Sequence, residues 1–191
     1  SGSIGKSLVD NLEQVGIKAV GISGKDGRTF LCEKKKDEKG RDLGFVGEIK
    51  KVDTTLVDSL LKSNFVPVLS PVGVDTEGNT YNINADYAAS AIAGALSAQK
   101  LIFLTDVEGI LKDKDDPSTI IRTLTHSEAL SYIEKGIIKG GMIPKVQCCL
   151  DGLDKGVESV HVLDGRLPHA ILLEIFTTRG IGTMVTKENK S

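Results

Sequence analysis

Residues 101–110 have the sequence LIFLTDVEGI, in which five apolar or β-branched residues run directly into an acidic loop with one glycine. A continuous apolar run of this length is typical of a strand buried on both faces of a parallel sheet. In open α/β sheets, ligands bind outside the carboxyl ends of such strands. Two interpretations of the loop at 105–110 stay open: a ligand-binding loop, or an acidic turn stabilised by Gly109.

Strands and helices alternate on both sides of this stretch. The patterns predict further strands at 17–22, 66–69, 159–163 and 183–185, hairpin arms at 29–33 and 44–52, and helices at 8–15, 54–61, 85–96, 127–133, 142–153 and 169–176. Such alternation indicates the α/β class with a mainly parallel sheet. The polar residues after Lys187 are expected to fray.

Composition excludes several classes of partner. The 24 basic and 26 acidic residues leave a net charge of −2, which argues against nucleic acid or an anionic membrane as the main partner. No apolar run reaches the roughly 20 residues that a membrane span needs. Cys32, Cys148 and Cys149 show neither a disulfide framework nor zinc spacing, so buried, reduced thiols in a cytoplasmic protein are expected, with no protein metal site.

The segment GSIGKS at residues 2–7 ends like a phosphate-binding loop. The full pattern requires four residues between its glycines and a strand before them. Here two residues separate Gly2 from Gly5 and no strand precedes them, so an ordinary nucleotide-triphosphatase loop is not favoured.

The segment NINAD at residues 82–86 places Asn82, Asn84 and Asp86 at alternate positions before an apolar helix. On extended backbone, alternate side chains face one way, and amides and dipole at a helix N-terminus favour anions. A ligand-contacting role is one interpretation. Simple capping of the helix by Asn84 or Asp86 is the other.

The segment GIIKGGMIPK at residues 136–145 is the second strong signal. Adjacent glycines allow a ligand to approach the backbone, and the helix that follows points its amides at it. A lysine near a helix N-terminus is unfavourable for the dipole unless an anion compensates it. Lys145 is therefore either a phosphate contact or an ordinary solvated side chain.

Together the segments at 82–86, 105–110 and 140–145 resemble the amino-acid kinase family, and within it most closely the N-acetylglutamate kinases. The resemblance extends from residue 8 to residue 186. It implies a three-layer α/β sandwich with a mainly parallel central sheet, divided into the remainder of a substrate-binding lobe with a β-hairpin (1–97) and an ATP-binding lobe with an arginine-site segment (98–191).

The resemblance also implies an activity: ATP-dependent phosphorylation of the γ-carboxylate of N-acetyl-L-glutamate, an early step of arginine biosynthesis. Lys145 would neutralise charge on the transferring phosphoryl group and Asp86 would organise the catalytic lysines, while Asn82 and Asn84 would contact the substrate. Magnesium would bridge the phosphates of ATP. The implied ATP-site residues are Asp106, Val107, Gly109, Ile137, Ile138, Gly141 and Met142.

The C-terminal segments HVLDG (161–165), HAILLE (169–174) and GIGTM (180–184) resemble the arginine-inhibited members. By that resemblance, His161, Glu174, Gly180 and Gly182 line a pocket for arginine as inhibitor, since Glu174 can pair with a guanidinium or ammonium. The alternative interpretation is that His161 is a satisfied strand histidine and Glu174 a solvated helix residue.

The chain also departs from the family pattern. The glycine-rich loops, the second catalytic lysine and the interlacing helix that precede this region in the family do not occur in the sequence, so we expect an N-terminally truncated chain that is inactive or nearly so alone. A homo-oligomer is expected, a dimer or, in the complete protein, a hexamer, with the signalling protein PII as a possible partner. Alternatives are an arginine-sensing or PII-binding fragment without catalysis, and a kinase for a related acylamino acid such as acetylaminoadipate.

Overall fold

The computed structural model describes residues 2–37, 39–113, 116–178 and 180–187. The tail after Lys187, for which fraying is expected, lies outside these residues. Within them the helices are α1 (Ser3–Gln14), α2 (Thr55–Lys62), α3 (Ala85–Ala95), α4 (His126–Glu134), α5 (Met142–Asp154) and α6 (Ala170–Phe176). The strands are β1 (Ala19–Ser23), β2 (Phe30–Lys36), β3 (Asp42–Val52), β4 (Val66–Ser70), β5 (Val72–Val74), β6 (Thr80–Asn82), β7 (Lys100–Thr105), β8 (Thr123–Thr125), β9 (Ser159–Asp164) and β10 (Thr183–Thr186).

The chain forms two compact units; the first ends at Ala88 and the second begins at Ala89. This division falls inside α3, whereas the sequence-based boundary lies after residue 97. The functional labels of the two lobes stay predictions.

The second unit contains a four-stranded sheet in the order β7-β9-β10-β8. β7 and β9 pair in parallel along their full length, from Lys100 opposite Ser159 to Thr105 opposite Asp164. Every residue of β9 is buried, and α5 contributes fully buried apolar side chains. β10 is antiparallel to β9 and parallel to β8. The predicted α/β class and buried parallel strand are therefore confirmed.

The first unit pairs β1 with β4 in parallel. The hairpin strands β2 and β3 join β6 and β5 in a small closed barrel. Phe30 and Ile83 are almost completely buried in this unit. Both predicted hairpin arms are present. Asp53 accepts a hydrogen bond from the Thr55 amide at 3.0 Å, but the N-cap of α2 is Thr54, whose side chain makes no capping hydrogen bond.

One sequence-based boundary was wrong by five residues, and one strand was missed. α1 begins at Ser3 instead of Leu8, so most of the segment GSIGKS is helical and cannot form a phosphate-binding loop. The three-residue strand β8 was missed, because one apolar residue between two threonines gives no periodic signal.

All three cysteines are buried. Burial raises the pKa of the Cys32 thiol to about 11, which keeps it protonated. Within the described part of the chain, no helix has the length and apolar character needed to cross a membrane.

The tight turn between β5 and β6 generates a pH prediction. Hydrogen bonds from the Asn79 side chain, the Tyr81 hydroxyl and two turn amides lower the pKa of Asp75 from 3.8 to about 2. A lowered folded-state pKa stabilises the fold above the unfolded value and loses that contribution as pH falls through the folded value. We expect wild-type stability to decline between pH 3.8 and about 2, and Asp75→Asn to flatten that decline in urea unfolding. Asp10→Asn on α1 removes the same charge as a control, and an equal flattening there would contradict the assignment.

Candidate active site

The loop after β7 is held by a buried threonine of β10. The Ile110 amide donates to Thr183 Oγ1 at 2.8 Å, and both residues are fully buried. Gly109 has φ 153°, and a Cβ there would lie 2.7 Å from Thr183 Oγ1. Glycine is therefore required by the backbone conformation and by the close approach of Thr183. The acidic turn is present, and the hydrogen bond to Thr183 joins it to the sheet.

The start of α5 presents an open helix N-terminus. Gly140 has φ 59° and Gly141 is helical, and a Cβ at either would meet nothing within 4 Å. Pro144 lies in the first turn, where a missing amide costs nothing. Lys145 follows it, with Nζ 5.5 Å from the centre of the buried Phe103 ring. The amides of Met142 and Ile143 donate to the carbonyls of Lys139 and Gly140 at 3.4 and 3.2 Å. The positive end of the helix dipole and a lysine therefore occur together at an uncrowded turn, an arrangement suited to an anion.

An apolar cavity of about 120 Å³ lies beside these two elements. It is lined by Val107, Gly109, Leu111, Ile137, Ile138, Lys139 and Met142. Five residues predicted for the ATP site are thus brought together, whereas Asp106 and Gly141 are not part of the lining. Leu111 and Lys139 also line the cavity but were not predicted as site residues. Leu111 directly follows the segment 105–110, and Lys139 lies inside the segment 136–145. The nucleotide role of these residues stays a prediction.

Asn82, Asn84 and Asp86 lie in the first unit or at its edge. Asn82 and Asn84 are exposed on either side of the buried Ile83. Asn84 Oδ1 accepts from the Tyr87 amide at 3.1 Å, so Asn84 does cap α3. Asp86 lies in the first turn of α3, not on extended backbone, so only the two asparagines share the alternate-position geometry.

His161 and Glu174 form a buried pair in the second unit. Nδ1 of His161 lies 2.7 Å from Glu174 Oε1, and the side chains are 6% and 5% exposed. The other ring nitrogen, Nε2, lies 3.2 Å from Ser159 Oγ. An ionised carboxylate only accepts hydrogen bonds, so Nδ1 donates to it. His161 is a satisfied strand histidine, but the interpretation of Glu174 as a solvated helix residue was wrong.

The second oxygen of Glu174 binds the chain before β10. Oε2 accepts from the Ile181 amide at 2.7 Å and from the Gly182 amide at 3.1 Å. Burial alone would raise the pKa of Glu174, but the hydrogen bonds from His161, Gly182 and Ile181 lower it below 4.5. The carboxylate is therefore charged and accepts three hydrogen bonds.

Both predicted glycines pack against this cluster. Gly180 has φ 61°, and a Cβ would lie 2.7 Å from Glu174 Oε2; at Gly182 a Cβ would lie 2.3 Å from the Val162 carbonyl. The structure thus brings together the four residues predicted for the arginine pocket. Thr183, which follows Gly182 directly, was missed, because a lone threonine in a short strand carries no sequence signal.

A loop at the carboxyl end of a parallel strand, an apolar cavity and a glycine-opened helix are together typical of nucleotide-binding α/β domains. The model of the amino acid kinase family matches residues 1–164. The chain belongs to that family, and the predicted fold class is confirmed.

Curated relatives share about half of the aligned residues with this chain. The acetylglutamate kinase of Methanococcus maripaludis is 53% identical over 194 aligned residues, covering 98% of this chain and 66% of the relative. That of Pelotomaculum thermopropionicum is 53% identical and covers 97% and 66%. The chain thus spans just under two thirds of the length of the curated relatives it matches.

Solved structures share the fold. The N-acetylglutamate synthase of Neisseria gonorrhoeae, complexed with coenzyme A and L-arginine, superposes with a TM-score of 0.76 at 29% identity, covering 90% of this chain and 38% of that one. E. coli aspartokinase III, in complex with aspartate and ADP, gives a TM-score of 0.68 at 18% identity over 98% and 39%. The latter similarity shows the fold alone.

The Glu174 cluster generates a stability prediction. Glu174→Ala removes the acceptor for His161 and two amides, and we expect the free energy of unfolding at neutral pH to fall by about 2–4 kcal/mol. Since the folded-state pKa is lowered, wild-type stability should decline below pH 4.5, and the variant should decline less. Urea unfolding between pH 7 and about pH 3 measures both.

Glu134→Ala, at the exposed end of α4, is the matched control and should change stability by less than about 0.5 kcal/mol. If Glu174→Ala behaves like that control, the buried pair has no structural importance.

Proposed function

We propose that the protein to which this chain belongs phosphorylates the γ-carboxylate of N-acetyl-L-glutamate with ATP, an early step of arginine biosynthesis. The observation that carries the proposal is the identity of 50–53% to proteins named acetylglutamate kinase along 97–98% of this chain. The site described above supports it chemically.

Lys145 is the proposed catalytic residue for charge neutralisation. Phosphoryl transfer requires mainly positioning and stabilisation of charge spread over the transferring group. Lys145 supplies a cation in the first turn of α5, where the helix dipole would otherwise disfavour it. A bound polyphosphate would remove that penalty, because the helix dipole and the lysine would then both act on the same anion.

The cavity bounded by Gly109, Ile138 and Met142 is the proposed nucleotide site. Its mainly apolar lining suits the face of a base, and polar groups near the α5 N-terminus suit phosphates. Magnesium would enter with ATP, held by the phosphates, water and at most one or two carboxylates. In the described residues, no group of three or more potential metal ligands is present.

Asp86 is the proposed organising residue, and Asn82 and Asn84 are the proposed substrate contacts. Because Asn84 Oδ1 caps α3, its amide group is the part that would donate to a substrate carboxylate. Asn82 is exposed at the end of β6 and presents a second amide.

Arginine is the proposed inhibitor, acting at the cluster of His161, Glu174, Gly180 and Gly182. A buried, charged carboxylate whose pKa is lowered is a suitable partner for a guanidinium or ammonium group. Further proposals are a cytoplasmic location, a homo-oligomeric assembly and PII as a partner; these rest on the family resemblance.

Two alternatives are less well supported. An arginine-sensing or PII-binding fragment without catalysis has no support from the names of the relatives, which are those of kinases. A kinase for acetylaminoadipate would use the same lysine with a different substrate lobe. Side-by-side kcat/KM values for the two acids separate these activities.

Lys145→Ala in the full-length protein tests the mechanism. We expect kcat in a coupled assay of ADP release with N-acetylglutamate to fall by about 100-fold or more, while KM for ATP changes little, because the lost interaction belongs to the transition state. Lys100→Ala is the control: Lys100 is exposed at the opposite end of β7 and should leave kcat unchanged. An unchanged kcat for Lys145→Ala would rule out the assigned role.

Calorimetry with arginine tests the effector site. Wild type is expected to bind arginine, and Glu174→Gln to bind it at least about tenfold more weakly, because one charge-assisted pair is lost. Equal affinities would place any arginine site elsewhere. Binding of arginine by a protein that binds no ATP would favour the sensor alternative.

A further inference from the structure

The segment 180–183 connects two sites that are far apart in sequence. At its start, the amides of Ile181 and Gly182 donate to Glu174 Oε2. At its end, the Thr183 hydroxyl accepts from the Ile110 amide at 2.8 Å. The Glu174 cluster and the loop at 105–110 are therefore joined by one short stretch of backbone.

This stretch has little freedom to adapt. The Arg122 guanidinium donates to the Ile181 carbonyl, so the peptide groups around Ile181 are held on both sides. Gly182 fits against the Val162 carbonyl with no space for a Cβ, and Thr183 is paired with Val162 in the antiparallel ladder. Because these contacts leave Ile181 and Gly182 little room to move, a shift of either residue would also move Thr183.

The contact at Thr183 is equally restrictive. Its hydroxyl is the acceptor for a fully buried amide and also occupies the space that a Cβ at Gly109 would need. An amide that loses its only buried acceptor is costly to leave unpaired. Since Gly109 lines the apolar cavity, the position of the Thr183 hydroxyl determines where one wall of that cavity lies.

We propose that Thr183 is a positioning residue for the loop at 105–110 and that it couples this loop to the carboxylate of Glu174. A cation that binds Glu174 Oε2 competes with the amides of Ile181 and Gly182, displaces the segment 180–183 and so alters the wall of the cavity. The consequence for ATP rests on the proposed function, whereas the mechanical coupling does not.

Amide hydrogen exchange of the unliganded chain tests the coupling directly. Thr183→Val keeps the shape but removes the acceptor, so exchange at Ile110 should become about tenfold faster, while the core amides of β9 stay unchanged. Thr183→Ser restores the hydroxyl and should restore slow exchange. Thr29→Val is the control: Thr29 is also fully buried, but it lies in the first unit and should not affect Ile110.

Glu174→Gln decides whether the two sites communicate. If the segment transmits displacement, exchange at Ile110 should rise in this variant, and the double variant with Thr183→Val should change less than the sum of the two single changes. Faster exchange at Ile181 and Gly182 with wild-type exchange at Ile110 would overturn the coupling. Unchanged exchange at Ile110 in Thr183→Val would overturn the positioning role.

A calorimetric measurement of ATP binding by the full-length protein tests the consequence of this coupling for function. Thr183→Val should weaken ATP binding about tenfold and Thr183→Ser should restore it. Wild type that fails to bind ATP would contradict the proposed function, and the exchange results would still confirm or overturn the coupling.

Discussion

The parallel pairing of β7 with β9 is the interaction on which the rest of the second unit depends. Six consecutive residue pairs join the strands, and β9 is buried along its whole length. Because parallel strands end at the same edge, the loop after Thr105 and the turn after Asp164 emerge side by side. The buried face of α5, with Val146 and Leu150, covers this sheet. The position of Lys145 on the first turn follows from burial further along the same helix.

The parts predictable from sequence are those whose burial leaves a local pattern. The run at 101–105 is apolar throughout because both faces of β7 are covered, and the helix at 142–153 is marked by the glycine pair before it. Five cavity-lining residues lie beside these features, although the family resemblance, and not the burial pattern, assigned them to one site. α1 was placed too late because Ser3, Gly5 and Ser7 give its first turns no apolar face.

The parts not predictable depend on contacts between distant segments. Ile110 and Thr183 are 73 positions apart, and no periodicity relates a loop amide to a strand hydroxyl. The burial of Glu174 is similar: a glutamate among apolar helix residues is usually solvated, and only the folded chain brings His161 and two amides to it. Sequence resemblance grouped residues that the fold brings together, but the contacts that join them are visible only in three dimensions.

α6 shows what this arrangement implies for regulation. Only Ala170 of its seven residues is fully buried, while Leu172 and Phe176 are 54% and 78% exposed. The helix therefore directs its one carboxylate inward and much of its apolar surface outward. Ile171, Leu173 and Ile175 are each about 40% exposed, so burial of apolar surface, the usual source of helix docking energy, holds the helix only in part. The hydrogen bonds to Glu174 supply the polar part of the docking, and a competing cation would act on those bonds. A ligand for the carboxylate would therefore weaken the docking of α6 without having to separate its apolar contacts.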